Sequence, residues 1–134
     1  MSCKSAIYAV NTASTTIADG GTYSPISIIR RYGQTCQLSN NTITLCGSGY
    51  YDVAVACTLT GTATGTVTMT VYQNGTAVSG MNATQSIGAS GDVVTLGTSG
   101  IIRTYCGSGT STITVVISGQ AVTGSNLTID VTRQ

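Results

Sequence analysis

An all-β sandwich is the fold class that this sequence predicts, and three observations predict it. Apolar and polar side chains alternate with period two along most of the chain. β-Branched and aromatic residues fill those runs, where a pleated surface suits them. Glycine- and asparagine-rich reversals interrupt the runs roughly every 8–12 residues, and no window of helical period competes. The chain has 134 residues, enough for one domain that buries about two thirds of the surface its unfolded form exposes. The expected architecture is therefore a single domain over residues 1–134, with about eight to ten antiparallel strands in a sandwich or jelly roll.

The elements follow in order. "SAIYAV" opens the chain as a strand, and Pro25, after Ser24, marks an edge or a bend. Arg30 and Arg31 read as an exposed strand end. In "NNTITLC", Ile43 and Leu45 oppose Thr42 and Thr44 behind an Asn40-Asn41 turn. In "YYDVAVACTLT", Tyr51, Val53, Val55, Cys57 and Leu59 share one face, with Tyr50, Asp52, Ala54, Ala56 and Thr58 on the other. The glycines of "TGTATG" permit a reversal, after which Val67, Met69 and Val71 oppose Thr66, Thr68, Thr70 and Tyr72. These two runs are expected to form a hairpin. Asn74-Gly75 makes the next turn. "DVVTLG", "IIRTYC", "STITVVIS" and "NLTIDVT" supply further strands, the last two through Ile113, Val115, Ile117 and Leu127, Ile129, Val131.

Composition removes several function classes. Charged residues are 7% of the chain and the formal net charge is +1, against roughly a quarter charged in ordinary domains. Lys4, Arg30, Arg31, Arg103 and Arg133 are too scattered to neutralise a run of phosphates, which argues against nucleic acid as a partner. No apolar stretch is long enough for a membrane-spanning helix, and the N-terminal "MSCKSAIYAVNTAST" lacks the continuous oily segment of a secretory signal. The expectation is a chain that begins at Met1, is made in a cytoplasm and keeps its cysteines reduced. With 41% hydrophobic residues and a mean hydropathy of +0.27, the scarcity of charge points to an exterior partly covered by other subunits.

Chemistry-bearing residues are few. There is no histidine and no glutamate, so neither a Ser-His-Asp nor a Cys-His arrangement can form, and a Ser-Lys alternative would rest on Lys4 alone. The carboxylates are Asp19 and Asp92 in turn contexts and Asp52 and Asp130 on outward strand positions, the pattern of caps and surface polarity. The five cysteines contain no C-x-x-C pair, and "GASGDVVTLGTSG" lacks a following helix and a P-loop lysine. No cofactor, no metal and no enzymatic activity are expected. Cys57 reads as a buried free thiol. Cys36 and Cys46 flank the Asn40-Asn41 turn almost symmetrically, which leaves a disulfide across that hairpin as an alternative to two free thiols.

"NTITLCGSGYYDVAVACTLTGTATGTVTMTVYQNGTAVSG", "DVVTLGTSGIIRTYCGSGTSTITVVISG" and the terminal "SNLTIDVTRQ" resemble a known pattern. Gly-x-Tyr opens one strand, a reversal follows, and the next strand ends in Asn-Gly. Over residues 35–134 this is similar to the jelly roll of tumour necrosis factors and complement heads, particularly the versions in phage structural proteins and at the ends of spore-surface glycoproteins. The resemblance implies a ten-stranded jelly-roll homotrimer. Candidate interface residues are Tyr50, Ala54, Ala56, Thr68, Thr70 and Tyr72, small or hydroxylated groups that let sheets approach, with tyrosines adding contact area. No Gly-X-Y stalk of the spore-surface type is present in the sequence. The leading expectation is a virion structural protein, a capsid decoration or a head-fibre or spike module, with other virion proteins as partners. The alternatives are a receptor- or glycan-binding tip that uses Tyr23, Tyr32, Tyr72 and Tyr105 as stacking surfaces, and a spore-surface or secreted TNF-like trimer.

Overall fold

The computed structural model describes residues 5–33, 35–104 and 111–133. Strand β1 is Ala6–Asn11, β2 Thr15–Ile17, β3 Gly21–Thr22, β4 Ser27–Tyr32, β5 Cys36–Ser39 and β6 Thr42–Leu45. Then come β7 at Gly49–Gly61, β8 at Gly65–Gln73, β9 at Thr76–Ile87, β10 at Val93–Thr104, β11 at Ser111–Ser118 and β12 at Val122–Arg133. They form two six-stranded sheets. Sheet A runs β10-β7-β12-β1-β4, with β2 on β12; sheet B runs β5-β6-β11-β8-β9, with β3 on β11. Every strand pairing among the described residues is antiparallel. The architecture is an all-β jelly-roll sandwich.

The core is what alternation dictates. Tyr51, Val53, Val55, Cys57 and Leu59 of β7 bury against Val67, Met69 and Val71 of β8, with Ile113, Val115 and Ile117 of β11 and Leu127, Ile129 and Val131 of β12. Each such side chain contributes about 1.5–3 kcal/mol by leaving water. The inner rows of the two sheets touch directly, for the Cys57 Sγ lies 3.4 Å from the Met69 Sδ.

That contact corrects one expectation. β7 and β8 are not a hairpin: β7 belongs to sheet A, β8 to sheet B, and the segment 61–65 arches across the sandwich between them. A period-two pattern shows that each strand has one apolar row. It does not show whether two rows lie side by side or face each other, and a glycine-rich connection serves either arrangement. The reversals that do make hairpins are Asn40-Asn41, with φ of 51° and 58°, and Asn74-Gly75, with φ of 53° and 80°. Both join neighbours within sheet B, and left-handed backbone at such turns favours asparagine and glycine. Asn74 is held further: its Oδ1 accepts the Thr112 N–H at 2.9 Å, and its Nδ2 donates to the Ser111 Oγ at 3.3 Å.

Two more expectations change. "DVVTLG" and "IIRTYC" are largely one strand, β10, and the last two residues of the second run lie outside the described residues. Arg30 and Arg31 sit inside a strand, β4, rather than at its end. The strands that sequence reading missed, or met only at Arg30 and Arg31, have weak signals. β9 buries only Met81 and Ile87 along Thr76–Ile87, with Val78 and Ala83 partly buried, so its apolar row is too sparse to stand out, and β4 reads "SIIRRY" with two isoleucines and two arginines in succession. The reason for the broken rhythm in β4 is a bulge: Tyr8 pairs with Arg30 and Ala9 with Ile28, which leaves Ile29 as the extra residue.

The buried titratable groups set the response to alkali. Burial pushes the Cys57 thiol from 9.0 up to about 12. Burial, with the nearby Cys57 as a smaller contribution, pushes the Tyr23 phenol from 10.0 up to about 12. Both must stay protonated in the fold. Above pH 9 the unfolded chain releases these protons while the folded chain holds them, so unfolding gains from each further rise in pH. Stability is fully present below pH 9 and is lost as pH climbs toward 12. Urea denaturation at pH 8, 10 and 11 checks this, and Cys57→Val shallows the alkaline decline.

Candidate functional site

The outer face of sheet A is the surface with most to explain. Pairing across β10, β7, β12, β1 and β4 arranges its outward side chains in transverse rows. One row is Ser99, Ala54, Asp130, Tyr8 and Arg30; the next is Ile101, Asp52, Thr132, Ala6 and Tyr32. A third sets Gly97, Ala56 and Thr128 side by side, and Arg103 pairs with Tyr50 at one corner. The middle strands β7 and β12 carry short side chains, Ala54, Ala56, Thr128 and Thr132 with Asp52 and Asp130, and the margins carry bulk. Ile101 is 63% exposed, Tyr50 52%, Tyr32 56% and Tyr8 38%. Ile28 and Ile29 are also exposed, and all six residues of the edge strand β4 lie open. Single exposed apolar residues are ordinary, but such a set on one sheet is the mark of an interaction surface.

Electrostatics divides the sandwich in two. No strand of sheet B contains an acidic or basic residue, whereas β4, β7, β10 and β12 of sheet A carry Arg30, Arg31, Asp52, Arg103, Asp130 and Arg133. The Arg103 guanidinium stacks over the Tyr50 ring, 5.4 Å from its centroid, a cation–π contact worth about 0.5–1 kcal/mol where exposed. The Arg133 Nη2 donates to the Ser48 carbonyl at 2.6 Å and pins the end of β12 to the loop before β7. Asp52 and Asp130 are diagonal neighbours on β7 and β12, since Ala54 faces Asp130 and Asp52 faces Thr132. They stand on an open sheet with no histidine to share a proton. The other two carboxylates are loop caps: Asp92 accepts the Gly88 and Ala89 N–H groups at 3.1 and 3.0 Å, and Asp19 accepts that of Gly119 at 2.9 Å.

The six residues expected at an interface separate onto opposite sides of the molecule. Tyr50, Ala54 and Ala56 are on the outer face of sheet A, while Thr68, Thr70 and Tyr72 are on the outer face of sheet B. A single flat contact cannot hold both sets, and the arch at 61–65 is the reason. The sheet B set lies in a hydroxyl-rich surface where the Thr68 and Thr84 hydroxyls bond each other at 3.0 Å. Sequence reasoning missed Tyr8, Ile28, Ile29 and Ile101. The available signal was the doublet: in Ile28-Ile29 and Ile101-Ile102, adjacent isoleucines cannot both face inward along a regular strand.

Two further expectations are corrected. Cys36 and Cys46 form no disulfide; both are free, Cys36 buried and Cys46 exposed. The hairpin register sets Cys36 opposite Leu45, and the Cys46 N–H bonds the Thr35 carbonyl, so the two cysteines occupy successive rungs and alternate faces. Tyr23 is no stacking surface for a glycan, because it is wholly buried in the core. Its hydroxyl is buried with it, and the Asn126 backbone is the polar group beside it. Tyr105 lies outside the described residues. Cys57 is the buried free thiol expected of it.

With this geometry in view, the fold identifies a class: a jelly roll of the tumour-necrosis-factor and complement-head type. Among solved structures the chain is similar to murine APRIL, with a TM-score of 0.76 at 14% identity over 98% of this chain and 99% of that one. It is also similar to Eiger TNF from S. frugiperda, with a TM-score of 0.71 at 10% identity over 97% and 91%. The globular domain of zebrafish complement 1qA aligns with a TM-score of 0.63 at 9% identity over 95% and 93%. Identities this low establish shared architecture. No family model and no curated protein matches the sequence.

Proposed function

We propose that this chain is a non-enzymatic building block that assembles as a homotrimer around the outer face of sheet A. Its setting is the surface of a virion, as a capsid decoration or a head-fibre or spike module made in the host cytoplasm. The observation that carries the assembly is the collection of Tyr8, Ile28, Ile29, Tyr32, Tyr50 and Ile101 on one sheet and its edge, around middle strands whose outward side chains are short, alanine, threonine and aspartate. A flat wall with small residues at its middle admits a close neighbour, and obligate interfaces of roughly 2,000–5,000 Å² are built on such walls. The virion setting is supported by the likeness of residues 35–134 to phage structural jelly rolls. The non-enzymatic reading is supported by the carboxylates, two of which cap loops while two stand on an open sheet.

Cryo-electron microscopy of purified particles tests the role. Three-fold density that fits three sandwiches, each with sheet A toward the axis, is the expected result. Particles that lack the protein would remove the virion setting.

A further inference from the structure

Sheet B turns outward a face unlike the exterior of an ordinary domain. None of its strands contains an acidic or basic residue, where roughly a quarter of the residues in a typical chain are charged. Register fixes what stands beside what: Thr114 and Tyr72 are neighbours in one row, Thr70 and Asn82 in the next, and Thr68 and Thr84 in the third. Neighbours within a row are about 5 Å apart and successive rows about 7 Å, the scale of a single sugar ring. Val116 is the one branched aliphatic side chain turned outward on β8 and β11. The Thr68 and Thr84 hydroxyls bond each other, while those of Thr70, Tyr72 and Thr114 have no partner among the described residues.

These features narrow what the face can hold. A nucleic acid or an anionic surface finds no counter-charge on it, and an apolar partner finds too little apolar area. A hydroxyl both donates and accepts, so rows of hydroxyls match a partner whose own groups do the same. Threonine is stiff at χ1, and a surface built of it gives up little side-chain freedom when a ligand settles. Tyr72, half-buried among these threonines, adds a flat ring on which the C–H side of a sugar can lie.

We propose that the outer face of sheet B, centred on Tyr72, binds an uncharged polysaccharide. The Tyr72 ring takes the C–H face of one sugar, and Thr70, Thr114 and Asn82 exchange hydrogen bonds with its hydroxyls. This face lies opposite the wall of sheet A, so it is open in the monomer and in the trimer, and the inference does not depend on the trimeric reading.

Depletion of the chain from solution by insoluble cellulose, chitin and mannan tests it, with carboxymethylcellulose as the charged counterpart, at physiological salt so that long-range charge effects are screened. Saturable depletion by at least one of the three uncharged polymers is expected, and none by the charged one. Tyr72→Ala weakens that binding about 10-fold, while Tyr72→Phe keeps the ring and stays within about two-fold of the parent. Thr70→Arg abolishes it by standing where the sugar lies. Light scattering and circular dichroism on the same samples show the parent's mass and sheet content, which makes the losses local. Absence of depletion by all three uncharged polymers overturns the proposal. So does depletion that survives both Tyr72→Ala and Thr70→Arg, or that carmboxymethylcellulose reproduces in full. The mass of the assembly is read independently of these outcomes, so the trimeric reading stands or falls on its own.

Discussion

Gly124→Ala lowers stability by about 3 kcal/mol, the upper range for an overpacked core. Gly124 sits on β12 beside a bulge, where pairing shifts between Gly124 and Asn126 and Ser125 is the extra residue. A β-carbon there meets the Cζ, hydroxyl and Cε2 of Tyr23 well inside van der Waals contact. The ring has no room to retreat, because Tyr23 is fully buried between the sheets. Glycine is required at this position for space, not for backbone freedom. A loss of this size is a large share of the roughly 5–15 kcal/mol that holds a domain together, and melting falls by about 10 °C. The paired change Tyr23→Leu with Gly124→Ala isolates the contact. Leucine shortens the side chain, so the double variant is more stable than the sum of the two single losses by about 1 kcal/mol or more. Urea midpoints for the three variants supply the comparison; additive losses would show that the ring is not what the new methyl strikes.

Ala56→Arg dissociates the assembly while it leaves the fold intact. Ala56 lies in the row with Gly97 and Thr128, where the outer face of sheet A is lowest. An arginine there either props the neighbour away or is buried without a partner. An unpaired buried charge costs about 3 kcal/mol or more, which is roughly 100-fold in association. The matched control is Thr70→Arg. Thr70 points outward from sheet B, between Asn82 and Val116, and the change leaves the trimer at full mass. Light scattering on the two variants distinguishes the faces. The reverse outcome, with Thr70→Arg disruptive and Ala56→Arg silent, would transfer the interface to sheet B.

Much of the fold was legible from residue order because alternation is a local property. The inward rows of β6, β7, β8, β11 and β12 can be read directly from Ile43, Val53, Val67, Val115 and Ile129, and the asparagine turns from their own chemistry. Pairing is not local. Whether β8 lies beside β7 or across from it depends on which apolar row covers which, and both answers satisfy the same pattern. The candidate interface suffered from this. Ala54 and Thr68 look equivalent along the chain, yet the sandwich puts its whole thickness between them. Only the exposed Arg30–Arg31 end of β4 was legible, for the opposite reason, since a strand with no buried residue has no rhythm to trace further. Cys36 and Cys46 show how finely such questions are set: a shift of one rung separates two cysteines that seem symmetric about their turn.

The most direct test of a sandwich built to be covered by its own copies is the mass of the isolated chain by equilibrium sedimentation at micromolar concentration. A value three times the 13.5 kDa of one chain is the predicted result. A stable species of 13.5 kDa, with Tyr50 and Ile101 left open to water, would contradict it.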